Sequence, residues 1–262
     1  MLTDIINIDQ LMTAAVAFLR IGGIMFIIPF FGETNVPLKV KTLLSVAIAM
    51  TIVPMLKTNW VSDLNFEVLP ITLLILKELF IGLIIGFTAK LTFEGLLLAS
   101  SMVSYQMGFG TSNLIAPGTD TQMDAFSSLH RVIVLLLFMT LNLHHLFLSA
   151  VVETFQYIPA GQTFINPEIG THLIETTGSI FSTAVKLAAP VVVALMFATA
   201  GLGLVARAVP QLNVFSMSFP ISFLIGITIY IASTPFFPAW LRDHHIETTA
   251  AMFKSIQGMT PY

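Results

Sequence analysis

The sequence predicts an all-α fold, a polytopic helical membrane protein of about six long apolar segments, some broken or bent. Three observations predict it. Of the 262 residues, 56% are hydrophobic and 10% charged, and the mean hydropathy is +0.90, whereas a soluble domain carries about 25% charged residues. Apolar stretches of membrane-crossing length fill most of the chain, a bilayer core of about 30 Å taking about 20 helical residues. The connections are short, with no hydrophilic insert large enough for a second domain, so residues 1–262 read as one helical domain.

Residues 11–31 form the first segment, interrupted by Arg20, Gly22 and Gly23. The start of the chain carries Asp4 and Asp9 and no basic residue, the wrong pattern for a cleaved signal, so the first helix is expected to be retained. Residues 40–56 form the second segment and end near Pro54. Residues 68–104 form one apolar run that would be about 55 Å long as a straight helix. That exceeds one bilayer, so a break or bend is expected, with Gly82, Gly86 and Gly95 as soft points. Residues 126–158 give the fourth segment, 177–208 the fifth and 213–240 the sixth, with Pro220, Pro235 and Pro238 in or at the end of the last. Gly and Pro are tolerated at bilayer depth only where neighbours resatisfy the backbone.

Composition excludes several classes. The formal charge is −3 and no basic run suggests nucleic acid. Cysteine is absent, so there is no disulfide framework or thiolate chemistry. No nucleophile elbow, P-loop or dinucleotide fingerprint occurs, and no catalytic residue, cofactor site or metal site is expected. His144 and His145 are adjacent, so on a helix they diverge, unlike the i,i+4 pair of a zinc helix. Phe is abundant at 22 and Met at 13, while Trp is 2 and Tyr 4. The aromatic belt of a lipid interface is therefore thin, and a Phe-rich, protein-facing interior accounts for this.

Charges sit within or beside the apolar stretches: Lys77, Glu78, Lys90, Glu94, Glu153, Lys186 and Arg207. A charge at bilayer depth costs at least about 2.5–3.5 kcal/mol, so these must be paired, wet or buried against protein. Lys90 and Glu94, at i,i+4, can pair directly, contact another subunit or handle protons. Lys77 and Glu78 point about 100° apart on a helix, so they cannot both face one groove. Gly82 and Gly86 form a GxxxG spacing that admits a second helix, from this chain or from another subunit.

The connection at 105–125 is the strongest local signal. It has no Lys or Arg, is rich in Gly, Ser, Thr and Asn, and carries Met107, Phe109, Leu114 and Ile115, with Gly108 and Gly110 on either side of Phe109. It reads as a surface hairpin or as a hydrophobic plug, apolar side chains closing a pore by excluding water.

These stretches resemble the FliR family of flagellar export-gate proteins, together with the equivalent SctT-like subunits of type III secretion injectisomes. The resemblance covers nearly the whole chain. It rests on FFGETNVPLKVKTLLSVAIA near the start, LKELFIGLIIGF at 76–87, YQMGFGTSNLIAPGTDTQ at 105–122, LLLFMTLNLHHLFLSAVVETF at 135–155, YIPAG at 157–161 and LAAPVVVALMFATAGLGLVARAVPQLNVFSMSFPI at 187–221. The R-x-x-PQ-x-NVF pattern in the last stretch is the most specific. Ala116 and Leu143 depart from residues that relatives often carry there, which bears on those positions alone.

The resemblance implies a non-enzymatic subunit of the flagellar protein export gate, in the bacterial inner membrane and basal body. It implies hetero-oligomeric assembly with FliP-like and FliQ-like subunits, one copy of this chain per gate, part of the assembly projecting to the periplasmic side. FlhB-like and FlhA-like export proteins, exported unfolded proteins and membrane lipid are the further partners, and no nucleic acid is. It also implies a fused chain, residues 1–210 approximating a FliP-like part and 211–262 the end of a FliQ-like part. The implied channel plug comprises Met107, Gly108, Phe109, Gly110, Leu114, Ile115, Pro117 and Gly118, and the helix-packing or subunit-contact residues are Gly82, Gly86, Lys77, Glu78, Lys90, Glu94 and Arg207. The competing reading is a secondary transporter of a small solute or ion, with Lys90, Glu94 or Arg207 in a midplane site.

Overall fold

A computed structural model describes residues 8–29, 31–32, 36–56, 67–109, 125–158, 168–211 and 213–244. The described residues are helical, with no strand among them. Helix α1 spans Ile8–Ile27 and α2 spans Leu38–Ile52. Pro37 stands at the α2 N-cap, and Pro54 lies in the 3-10 turn Val53–Met55 that ends it. Helix α3 runs Val68–Met107, α4 Ala125–Thr140, α5 Leu143–Tyr157, α6 Glu168–Ala208 and α7 Val214–Ser233. A 3-10 turn at Thr234–Phe236 leads into α8, residues 237–244. Among the described residues, four stretches are long and apolar enough to cross a membrane: Gln10–Ile27, Val68–Met107, Leu173–Ala208 and Ser216–His244.

Two expectations are corrected. The third segment does not break: α3 is one helix of 40 residues, about 60 Å at 1.5 Å per residue. Its only proline, Pro70, sits in the first turn, where the missing N–H costs nothing. Its glycines lie within continuous helix, each packed against a neighbour. The fourth segment, expected as one helix, is divided into α4 and α5 at Asn142, the one non-glycine described residue with positive φ, at 54°. Asn is among the few residues that adopt this left-handed conformation readily.

The chain folds as two compact units, interleaved in sequence. The first takes residues 1–91, 142–176 and 245–262; the second takes 92–141 and 177–244. In the first unit α1 packs against α2, with the Lys41 ammonium 5.9 Å from the centre of the Phe26 ring. Ala17, Ile21, Ile24, Ile81 and Ile85 are buried there.

The core of the second unit gathers Ala99, Val103 and Met107 of α3, Phe126 of α4, Tyr230 of α7 and Phe237 of α8 around Ala184, Ala188, Val191 and Leu195 of α6. The last four recur at i, i+4, i+7 and i+11, one stripe of a helix. Phe93 and Phe138 meet edge to face at 5.0 Å between ring centres. Large apolar side chains also point outward, among them Leu43, Met50, Phe181, Phe197 and Leu204. So many exposed apolar groups suit a chain that meets lipid or other protein.

Candidate functional site

The polar chemistry of the first unit converges on one helix crossing. Glu78, Gly82 and Gly86 share a face of α3 at four-residue spacing, and Arg20 and Gly23 share a face of α1. These faces meet. A methyl group on Gly23 would lie 2.9 Å from the Leu79 carbonyl oxygen and 3.2 Å from Gly82 Cα; one on Gly86 would lie 3.0 Å from the Ile24 carbonyl oxygen. A methyl on Gly82 would collide with the carbonyl of Arg20. The two backbones thus approach as closely as glycine allows.

The approach brings Arg20 and Glu78 together with no exposure of either side chain. Arg20 Nε donates to Glu78 Oε2 at 2.7 Å. Arg20 Nη1 donates to the Ile158 carbonyl at 3.1 Å and to Thr154 Oγ1 at 3.4 Å, while Thr154 donates to the Val151 carbonyl at 2.7 Å. The guanidinium lies 3.9 Å from the centre of the Phe155 ring. Arg20 therefore ties α1 to α3 and to the end of α5. Its planar fork suits this role, offering donors in several directions and a face for an aromatic ring.

Lys77 is half-buried, Lys90 exposed, Glu94 half-buried and Arg207 exposed in the last turn of α6. The role of Arg20 was missed at the sequence level, where it counted only as an interruption of the first segment. The available signal was the register of both charges with small residues, Arg20 with Gly23 and Glu78 with Gly82 and Gly86.

The second unit holds the root of the 105–125 segment. Met107 belongs to α3 and is fully buried in the core. It lies under Gly226 of α7, where a methyl group would come 2.5 Å from Met107 Cε and 2.8 Å from its Cγ. The chain then turns at Gly108, whose φ of 100° favours glycine. Phe109 sits edge to face with Phe219 at 5.6 Å and with Phe223 at 6.0 Å. Gly110, Leu114, Ile115, Pro117 and Gly118 lie outside the described residues. Near this root, His130 Nδ1 and the Tyr230 hydroxyl are 2.5 Å apart, with Phe126 edge-on to Tyr230 and Phe237 edge-on to His130.

What the fold and these contacts define is an all-helical integral membrane protein whose buried polar groups join helices. The model of the bacterial export proteins, family 1, matches residues 11–247, and the chain belongs to that family. Within it, the chain is of the flagellar FliR type. It is 30% identical to the flagellar biosynthetic protein FliR of Escherichia coli K12 over 217 residues, 83% of this chain and 82% of the relative. It is 30% identical to FliR of Bacillus subtilis 168 over 227 residues, 86% of each chain. To FliR of Aquifex aeolicus it is 26% identical over 239 residues, 90% of each chain.

Proposed function

We propose that this chain is a non-enzymatic subunit of the flagellar protein export channel. It assembles with FliP-like and FliQ-like subunits in the bacterial inner membrane, part of the assembly projecting to the periplasmic side, next to FlhB-like and FlhA-like proteins. Exported flagellar proteins pass unfolded. One copy enters each gate, its residues 1–210 standing where a FliP-like part would and 211–262 ending a FliQ-like part.

The observation that carries this reading is the root of the 105–125 segment, which has no Lys or Arg. Met107 is held under Gly226, Gly108 turns the chain, and Phe109 lies against Phe219 and Phe223. A fixed root followed by a glycine-punctuated stretch bearing Leu114 and Ile115 suits a plug that excludes water by apolar contact. In this reading Gly110 and Gly118 are the flexible points, Pro117 belongs to the same plug segment, and Leu114 and Ile115 form the seal beyond Phe109.

The test is ion conductance. Delete residues 111–118, assemble the complex with its FliP-like and FliQ-like partners, and compare membranes of equal complex content. The deleted form should conduct more than the intact one. Equal conductance would refute the plug. Failure of the intact chain to copurify with either partner would refute the channel assembly.

A further inference from the structure

We propose that the exposed stripe of α6 around Lys186 docks a helix of an unlike chain, one that carries a carboxylate among apolar residues. This deepens the channel reading and rests on it for the identity of the partner.

Residues 178, 182, 186, 190, 193 and 197 fall along one side of α6. The opposite side, with Ala184, Ala188, Val191 and Leu195, is in the core. The outer stripe begins with small residues. A methyl group on Gly178 would meet nothing within 4 Å, and Ser182 is exposed. It continues into apolar groups, Val193 at 48% exposure and Phe197 at 76%. Between the halves stand Lys186 and Pro190, both exposed.

Lys186 lies inside the stretch Leu173–Ala208, apolar and long enough to cross a membrane. Among the described residues, no carboxylate pairs with its ammonium. Pro190 sits within the helix and has no N–H, so the carbonyl of Lys186 loses its helical donor. One level of the stripe therefore presents a cation and a freed acceptor together.

Lipid tails satisfy neither group. A phosphate satisfies the ammonium and leaves the carbonyl without a donor. A helix bearing Asp or Glu and a nearby hydroxyl or amide satisfies both, and Gly178 and Ser182 let its backbone approach. Sign complementarity selects a carboxylate, since a like charge would be repelled.

The experiment co-expresses this chain with its FliP-like and FliQ-like partners and measures complex recovered per unit of this chain in the membrane. Lys186→Glu should lower recovery about 30-fold or more, and Lys186→Arg should preserve it. Separately, the chain lacks cysteine, so Ser182→Cys carries a single photo-crosslinker on an otherwise intact stripe. The expected adduct is with the FliP-like or FliQ-like chain, and it decides the matter even if Lys186→Glu fails to accumulate. Undiminished recovery of Lys186→Glu, or an adduct only with lipid or with a second copy of this chain, overturns the docking stripe and leaves the channel reading standing. Failure of the unaltered chain to copurify overturns both.

Discussion

Replacing Glu78 with leucine should be among the most damaging single changes in the first unit, and a second change should repair it. Glu78→Leu removes the carboxylate 2.7 Å from Arg20 Nε and leaves a guanidinium with no solvent exposure. Breaking a buried pair by removing one partner costs about 3–5 kcal/mol. Arg20 would keep the Ile158 carbonyl at 3.1 Å and the Phe155 ring at 3.9 Å, which places the loss in the lower part of that range. Arg20→Met alone leaves the carboxylate buried without its cation and loses the ties to α5, so it should cost at least as much.

The double variant Arg20→Met, Glu78→Leu removes both charges of this pair. Replacement of buried ion pairs by apolar residues of similar volume is often neutral or stabilising by about 1–4 kcal/mol. The double variant should therefore be more stable than either single one. Reversible unfolding in mixed detergent micelles, run as a double-mutant cycle, measures this. Additivity within about 0.5 kcal/mol would show that the pair is not energetically coupled, and the account of the α1–α3 crossing would fail.

Neighbouring glycines should separate sharply. Gly22→Ala meets open space and should stabilise by up to about 1 kcal/mol through helix propensity, whereas Gly23→Ala strikes the α3 backbone and should lower the unfolding midpoint in the same assay. Gly226→Ala should destabilise through its contact with Met107, and Met107→Ala in the same chain should lessen the added penalty, since the clashing atoms are side-chain atoms; equal penalties in both backgrounds would refute this packing. Tyr230→Phe removes the hydroxyl facing His130 Nδ1 and should cost about 1–3 kcal/mol by leaving a buried nitrogen unpaired, read from unfolding of the purified chain.

Much of the molecule was written in local pattern. Apolar run length located the helices, because a helix that meets lipid or protein all round needs little polar periodicity. The motifs that resemble FliR led to the family, and the GxxxG spacing marked a close approach. The α4–α5 division at Asn142 was harder to read, since a single left-handed Asn in an apolar run leaves no composition shift.

What only tertiary structure decided is which groups meet. Run length alone suggested a break in α3, but Gly82 and Gly86 pack against α1 and Gly95 lies 3.1 Å, by its would-be methyl, from Thr183. A glycine in a helix weakens it in isolation and is retained when a neighbouring backbone occupies the missing side chain's place. Arg20 and Glu78 lie 58 residues apart, and no local rule joins them. Their pairing follows from the crossing of α1 and α3, where the dry interior makes an unpaired charge too costly to keep. Met107, read from the sequence as part of the 105–125 connection, is a core residue because α3 continues one turn farther than the polar composition suggested and Gly226 leaves space for its side chain.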